Sequence, residues 1–291
     1  MKSRSEQEMF DLILGVAQAD PRVRAVVLNG SRANPSAPRD CFQDYDIGFI
    51  VTDVHSFTTD PGWIDRFGER AILQTPEDWH SHPRDYASDE PFAYLMQFVD
   101  GTRIDLNLYT LDRLEPEAEP TIVLLDKDGI LPGVPEPDNG FYHVKPPTRA
   151  EYRDCCNEFW WMSTYAAKEL WRDALPLAKT LLDENVRAEL MKMLDWTVGC
   201  QHGFQVSTGK GSKYLRRYLT ANEWSAFEAT YPDLNEERMW AALLAMGDLF
   251  REKALVVASR FGYDYPALDD ERVTAFLKHV RRLPRDAEAI Y

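Results

Sequence analysis

The sequence contains little cysteine, and its cysteines show no spacing that is typical of metal ligands. The four are Cys41, Cys155, Cys156 and Cys200 in a chain of 291 residues. A disulfide framework of the kind found in small secreted domains is therefore not expected. We interpret all four side chains as free thiols.

Long hydrophobic runs are also absent. No stretch approaches the roughly 18 apolar residues that a membrane helix needs. Residues 1–10 are charged and lack the apolar stretch of a secretion signal. We therefore expect a cytoplasmic protein with no membrane partner.

An excess of basic charge is missing as well, which argues against a nucleic-acid partner. The chain has 33 Lys and Arg against 48 Asp and Glu, a net charge of -15. Residues 1–147 carry 13 basic and 26 acidic side chains, whereas residues 148–291 carry 20 and 22. An acidic half suits a cationic small molecule or metal ions, although on charge alone a solvated acidic surface is the simpler interpretation.

The length suits two domains of about 150 residues each. Residues 126–147 include five prolines and three glycines, a composition that favours a linker over regular structure. We place a first domain at 1–131, a proline-rich linker at 132–147 and a second domain at 148–291.

Helix and strand signals differ between these domains. Ser5 with Glu8, and Thr148 with Glu151, have the spacing of helix capping boxes. Short apolar or alternating runs predict strands at 23–28, 45–52, 92–99 and 102–109. After the linker only helical patterns follow, at about 149–171, 174–204, 211–219, 222–230, 235–260 and 270–280. We expect an α+β fold in which an N-terminal sheet with helices precedes an all-helical second domain.

A small-residue turn followed by two carboxylates is the first candidate site. Gly30 and Ser31 end an apolar run, and Asp44 and Asp46 begin the next one. Alternate residues of a strand share a face, so these two carboxylates would lie about 6 to 7 Å apart. Such a pair can hold Mg²⁺ beside nucleotide phosphates, but a solvated strand end shows the same pattern.

A third carboxylate strengthens the metal interpretation. The turn at Asp100 and Gly101 predicts a hairpin whose returning strand carries Arg103, Asp105 and Asn107 on one face. If that strand lies beside the first carboxylate pair, three carboxylates converge. Three such groups suit two-metal phosphoryl or nucleotidyl transfer, with the third as metal ligand or as proton acceptor.

These motifs resemble those of the nucleotidyltransferase superfamily that includes DNA polymerase beta. Closer phrases resemble the aminoglycoside 6-adenylyltransferases, which modify streptomycin, over almost the whole chain; they are FQDYDI at 42–47, LLDKD at 124–128 and CCNEFW at 155–160. The resemblance implies a mixed polymerase-beta-like sheet in the catalytic domain, and a helical domain that binds substrate and nucleotide.

Site roles follow from the same resemblance. Gly30 and Ser31, grouped with Arg32, would hold the ATP phosphates, with backbone N–H groups at the start of a helix as the physical reason. The metal ligands would be Asp44, Asp46 and Asp105, with Asp105 as either base or ligand. The remaining nucleotide contacts would be Asp126, Lys213 and, more weakly, Lys210.

Candidates for substrate binding come from acidic and aromatic residues. The loop from Glu77 to Glu90 contributes Trp79 and Glu90, since loops on a rigid scaffold often carry binding groups. Helical residues Glu158, Glu189 and Asp195 would bind guanidinium groups if they face a cleft. The sequence does not decide which of them do.

Together these observations predict a monomeric adenylyltransferase. The resemblance implies that it would transfer AMP from ATP, with two Mg²⁺ ions, to a hydroxyl (O6) of a cationic streptomycin-type aminoglycoside, and so confer antibiotic resistance. One alternative is a related nucleotidyltransferase that modifies another small molecule or a protein hydroxyl. A non-catalytic nucleotide-binding module is the other alternative, although all three carboxylates are retained.

Overall fold

A computed structural model describes residues 2–79, 81, 89–114, 120–135 and 140–291. The chain divides into two compact units, Met1–Phe141 and Tyr142–Tyr291. This division falls within the range 132–147, which the sequence assigns to a linker.

The first unit is built on a six-stranded sheet in its described residues. Its strands are β1 (Val23–Leu28), β2 (Tyr45–Val51), β3 (Arg70–Gln74), β4 (Phe92–Phe98), β5 (Arg103–Tyr109) and β6 (Ile122–Asp126). Its helices are α1 (Glu6–Ala19), the single turns α2 (Gly30–Ala33) and α3 (His55–Thr58), and 3₁₀ segments at Pro61–Phe67, Pro76–Asp78 and Leu111–Arg113. A further 3₁₀ segment, Gly140–Tyr142, includes the last residues of this unit and the first of the next. The capping box of Ser5 and Glu8 forms as predicted.

The sheet is mixed, with the order β3-β4-β5-β2-β1-β6. β2 and β5 run parallel, whereas the other neighbouring strands are antiparallel. The four predicted strands are confirmed. β3 and β6 are additional, and both lie at an edge of the sheet, where burial is incomplete and the sequence pattern is correspondingly weak.

The two faces of the sheet have different environments. Ile47 and Phe49 of β2, with Ile104 and Leu106 of β5, belong to the core that also includes Met9 of α1. Because side chains alternate along a strand, the residues between them project from the opposite face. The carboxylates of β2 and β5 therefore lie on the face away from α1.

The second unit is helical, and none of its residues, all described from 142 to 291, forms a strand. Its helices are α4 (Arg149–Trp171), α5 (Leu175–Thr180), a π-helical segment (Leu181–Val186), α6 (Arg187–Gln201), α7 (Ala221–Glu228), α8 (Glu236–Phe261) and α9 (Ala267–Val280). They enclose a core that includes Phe159, Trp160 and Phe250. The α+β prediction with a helical C-terminal region is confirmed.

One predicted helix is wrong. Residues 211–219 form two short 3₁₀ turns, Lys210–Ser212 and Leu215–Arg217, instead of a helix. Gly209, Gly211 and Ser212 all have positive φ angles, which an α-helix does not accept. Among the described residues, no helix is both long and apolar enough to cross a membrane.

Candidate active site

Two carboxylates face each other across neighbouring strands. In the parallel pairing of β2 with β5, Asp46 lies directly opposite Asp105. We expected the carboxylates to converge only if these two strands were neighbours, and the structure shows that they are. Like charges placed side by side raise the energy of the folded state, which makes this pairing a candidate for a functional arrangement.

Asp44 joins this pair through an arginine. Arg103 donates from Nε to Asp105 Oδ1 (2.7 Å) and from Nη2 to Asp105 Oδ2 (2.8 Å). Its Nε also lies 3.7 Å from Asp44 Oδ2. The hydrogen bond with Asp105 raises the pKa of the arginine, so one cation stands among the carboxylates. The sequence placed Arg103 and Asp105 on one face but gave the arginine no role.

The pKa of Asp44 is raised above its usual range. Burial is the main cause, the positive charge of Arg103 opposes it, and the negative charge of Asp105 adds to it. Asp44 lies one residue before β2 and its side chain is partly exposed. Asp44 is therefore a partly buried carboxylate that can still be reached from solvent.

Gly30 allows the backbone to pass against Asp46. Its φ is +65°, and a Cβ atom there would lie 1.9 Å from Asp46 Oδ2. Only glycine fits this position without moving the carboxylate. The following helix, α2, is a single turn of four residues. So short a helix has little macrodipole. The predicted phosphate site would therefore depend on the backbone N–H groups of the turn, and not on a helix dipole.

Ser31 and Arg32 contact the segment that leads into β2. Gln43 Nε2 donates to both the carbonyl and the hydroxyl of Ser31, each at 3.3 Å. Arg32 donates to the carbonyls of Gln43 and Asp44. Nucleotide binding by Arg32 remains a prediction, and in this placement three of its five N–H groups donate to protein acceptors.

A cavity of about 540 Å³ opens beside Asp44 and Arg103. It is lined by the N-terminal segment around Arg4, by residues 39–45 and by the turn at 101–103. Exposed Phe42 lies at this cavity. Charged groups of both signs and an aromatic ring thus surround a space next to the carboxylates.

The carboxylates have the right donor chemistry for Mg²⁺, which prefers oxygen ligands. As they stand, however, no three His, Cys, Asp or Glu side chains in the described part of the chain are gathered to hold one ion. Both oxygens of Asp105 accept hydrogen bonds from Arg103. Asp44 and Asp46 are therefore the better candidates to hold a metal, and the three-carboxylate metal site remains a prediction.

Asp126 lies away from this cluster. β6 is antiparallel to β1, so Ile122 pairs with Leu28 next to the Gly30 turn, whereas Asp126 pairs with Ala25. Its carboxylate accepts backbone hydrogen bonds from Ile130 and Leu131. The sequence expected Asp126 near the nucleotide; the structure makes it the anchor of the loop after β6, because the strand direction carries it to the other end of the sheet.

The second unit contains a separate acidic cavity of about 570 Å³ between α4 and α6. Two of the predicted substrate-binding residues, Glu158 and Glu189, line it together, along with Glu151 and Asp154. Glu189 is paired with Lys192 at 2.7 Å. The third candidate, Asp195, does not line this cavity.

Asp195 is instead bonded to the turn that carries the two candidate lysines. Its Oδ2 accepts a hydrogen bond from Ser212 Oγ at 2.8 Å, and burial raises its pKa while that bond partly opposes the shift. Lys210 and Lys213 are exposed on this turn. Their contact with nucleotide remains a prediction, whereas Asp195 is placed to stabilise the turn.

The loop candidates are only partly described. Trp79 is half-exposed, and Glu90 accepts a hydrogen bond from Arg113 at 3.1 Å. Residues 80 and 82–88 of the same loop lie outside the described residues. A substrate-binding role for this loop remains a prediction.

A mixed sheet that brings a Gly-Ser turn beside aspartates on adjacent strands is the arrangement of a nucleotidyltransferase catalytic unit. Residues 3–280 match the model of the streptomycin adenylyltransferase family, and the chain belongs to that family of nucleotidyltransferase enzymes. The resemblance drawn from the sequence motifs is confirmed.

Similar proteins carry a consistent name. The chain is 40% identical to aminoglycoside 6-adenylyltransferase of Campylobacter jejuni, covering 94% of this chain and 95% of the relative. It is also 40% identical to the protein of that name in Bacillus subtilis (strain 168), covering 92% and 95%. A crystal structure of an aminoglycoside 6-adenyltransferase from Bacillus subtilis is 36% identical, covers 96% of this chain and 100% of that chain, and gives a TM-score of 0.48.

Proposed function

We propose that this protein transfers AMP from MgATP to a hydroxyl of a streptomycin-type aminoglycoside, with O6 as the expected acceptor. Pyrophosphate is the second product, and the modified antibiotic loses its action, so the cell becomes resistant. The observation that carries this proposal is the pairing of Asp46 with Asp105 beside the Gly30 turn in a chain of this family.

The three carboxylates have two different roles in the proposed transfer, metal binding and proton acceptance. Asp44 and Asp46 offer the oxygen ligands by which Mg²⁺ is held. When bound, Mg²⁺ neutralises negative charge on the phosphates and on the leaving pyrophosphate. Gly30 keeps the space against Asp46 free of any side chain.

Asp105 is the proposed acceptor of the hydroxyl proton. The antibiotic oxygen bonds to the α-phosphorus as the bond from that phosphorus to pyrophosphate breaks, and the proton passes to Asp105. Because Arg103 donates to both oxygens of Asp105, one of these hydrogen bonds must open as the proton arrives. The freed guanidinium N–H then remains available to an anionic oxygen.

The acidic cavity of the second unit supports a cationic acceptor. Glu151, Asp154 and Glu158 present carboxylates there, and one lysine, Lys192, opposes them. Guanidinium groups bind carboxylates through paired hydrogen bonds. Trp196 also lines this cavity and offers an aromatic face to a sugar ring or to a cation.

A pyrophosphate-release assay tests the proposal. Purified protein is incubated with ATP, Mg²⁺ and streptomycin, and product mass is checked for the addition of AMP. We expect turnover by the wild-type protein and a loss of about 100-fold or more in Asp46→Asn. Asp128→Asn is the matched control, because Asp128 is an exposed carboxylate that pairs with Arg24 beyond the end of β6 remote from the Gly30 turn.

Two results would contradict the proposal. Absence of pyrophosphate release with every aminoglycoside tried would remove the substrate assignment. Equal activity of Asp46→Asn and Asp128→Asn would remove the assignment of the carboxylate site.

A further inference from the structure

Arg32 lines the cavity but directs three of its five N–H groups at the protein itself. Its Nε donates to the carbonyl of Asp44 (3.0 Å), its Nη2 to the carbonyl of Gln43 (2.9 Å) and its Nη1 to Glu6 Oε1 (2.9 Å). The guanidinium carbon lies 3.8 Å from the centre of the Tyr45 ring. All three nitrogens and one face of the guanidinium group are thus engaged.

These contacts hold a segment that the sheet does not hold. The pairing of β2 with β5 begins at Tyr45 and Ile104, so Asp44 precedes the first paired residue. Backbone that lies outside a strand ladder needs other partners to keep one conformation. Arg32 supplies these partners at Gln43 and Asp44.

A second link ties the same segment to the Gly-Ser turn. Gln43 Nε2 donates to Ser31, and the backbone N–H of Asn29 donates to the carbonyl of Asp46 at 2.9 Å. With Arg32 these bonds join α2 to the start of β2. Hydrogen bonds therefore connect the Gly-Ser turn, which would face the phosphates, to Asp44 and Asp46, which would face the metal.

Arg32 is the least exposed of the four arginines that line the cavity. Its side chain is 10% exposed, against 23% for Arg4, 40% for Arg103 and 57% for Arg39. Its charge is already compensated by Glu6. A phosphate that took these N–H groups would release two backbone carbonyls from their donors, which costs free energy.

We propose that Arg32 is a positioning residue that fixes Asp44 for metal binding, and that it is not a nucleotide ligand. The proposal rests on the proposed function for the assignment of Asp44 as a metal ligand and for the turnover measurement. Arginine is required in this role, because lysine has no planar fork to reach two carbonyls and to stack on a ring at the same time. A phosphate contact, by contrast, accepts lysine as a point charge.

The decisive variant is Arg32→Lys, which keeps the charge. Mn²⁺ binding to the protein without nucleotide is measured by electron paramagnetic resonance, and kcat and KM for ATP are measured with streptomycin. We expect Mn²⁺ affinity to fall about 10- to 100-fold, as happens when a group that orients a metal ligand is lost. We also expect kcat to fall by a similar factor while KM for ATP stays unchanged.

Arg24→Lys is the matched control. Arg24 also forms a two-pronged contact, with Asp128, but lies far from the Gly30 turn along the same sheet. It should leave Mn²⁺ affinity and kcat at wild-type values. Thermal unfolding of both variants, followed by circular dichroism, verifies that each is folded.

The outcomes separate the two roles of Arg32. Wild-type Mn²⁺ affinity in folded Arg32→Lys would overturn the proposal, as would a raised KM for ATP with unchanged kcat. If the wild-type protein turned over no aminoglycoside, the proposed function would fail, yet the Mn²⁺ comparison would still decide the role of Arg32.

Discussion

The acidic side chains of the two units differ in the partners that lie next to them. In the second unit many carboxylates meet a basic partner one helical turn away, as Glu169 does with Arg172 and Glu189 with Lys192. In the first unit Asp46 and Asp105 come from distant parts of the chain and are set side by side by strand pairing. Local pairs neutralise charge at small cost, whereas the strand pairing gathers like charges.

This difference indicates which unit is suited to catalysis and which to substrate recognition. A cluster of like charges is unfavourable for folding unless a cation or a bound ion compensates it, and Arg103 compensates it only in part. The carboxylates of the first unit are therefore suited to catalysis. Those around Glu158 in the second unit leave one wall of a cavity acidic, which suits the binding of a cation.

The largest effect that would test this comparison is expected for Gly30→Ala. The new Cβ would lie 1.9 Å from Asp46 Oδ2, and the aspartate side chain is too short to move aside without withdrawing its carboxylate. We expect kcat to fall about 100-fold, as for a misplaced catalytic group. Separately, the backbone strain of a non-glycine residue at positive φ should lower the unfolding free energy by about 1 to 2 kcal/mol.

Gly129→Ala isolates the steric part of that effect. Gly129 has the same φ of +65°, and nothing lies within 4 Å of the position of a Cβ atom. It should lose a similar amount of stability and retain its activity. Equal kcat for the two variants would mean that the close approach to Asp46 is unimportant. It would contradict the assignment of catalysis to the carboxylates of the first unit.

Local signals explain how much of this fold the sequence predicts. The capping boxes of α1 and α4 form as expected, because each depends on two residues three positions apart. The strands β2, β4 and β5 carry strong apolar patterns and are also correct. The edge strands β3 and β6 were not predicted, because strands at an edge are less buried and their patterns are weak.

The site was predicted less completely for a related reason. Alternation and a predicted hairpin marked Asp44, Asp46 and Asp105 as candidates, but their convergence depended on β2 and β5 being neighbours, which only the structure shows. The location of Asp126 depends on the direction of an unpredicted edge strand. The contacts of Arg32 and Asp195 depend on backbone carbonyls and on a turn with positive φ angles, and residue type and spacing do not reveal these.

A smaller effect is expected when recognition in the second unit is weakened. Glu158→Gln removes one carboxylate from the acidic cavity and leaves its shape nearly unchanged. We expect KM for streptomycin to rise about tenfold, equivalent to about 1.4 kcal/mol, with kcat unchanged. Initial rates at varied antibiotic concentration measure both constants.

Glu189→Gln is the comparison for that variant. Glu189 is already paired with Lys192, so its loss should raise KM less than the loss of Glu158. A fall in kcat for Glu158→Gln, with KM unchanged, would instead put catalytic chemistry in the second unit and break the division drawn above.

The smallest effect on activity is expected for Glu223→Gln, which tests an ion pair that is not local. Glu223 contacts Lys253, whose side chain is only 2% exposed. Burial raises the pKa of Glu223, but hydrogen bonds from Lys253 and Thr220 outweigh it and lower that pKa to about 2. Glutamine preserves the capping box with Thr220, and Lys253 keeps a second partner, the exposed Glu252. The variant should therefore lose about 1.5 kcal/mol of unfolding free energy, chiefly through the lysine.

The pH dependence identifies this contribution. A carboxylate whose pKa is lower in the folded state stabilises the fold above its unfolded pKa, near 4.5 for glutamate, and loses that effect as pH falls toward 2. The difference between wild type and Glu223→Gln, measured by urea unfolding, should therefore shrink over that interval. The pKa of Glu8 is also lowered, chiefly by the backbone hydrogen bond from Ser5, so Glu8→Gln shows the pH-dependent loss that a capping box causes without a buried lysine. Because Glu8 is exposed, this loss should be smaller than that of Glu223→Gln. A pH-independent difference for Glu223→Gln would show that packing, and not the charge on Lys253, is what the carboxylate supplies.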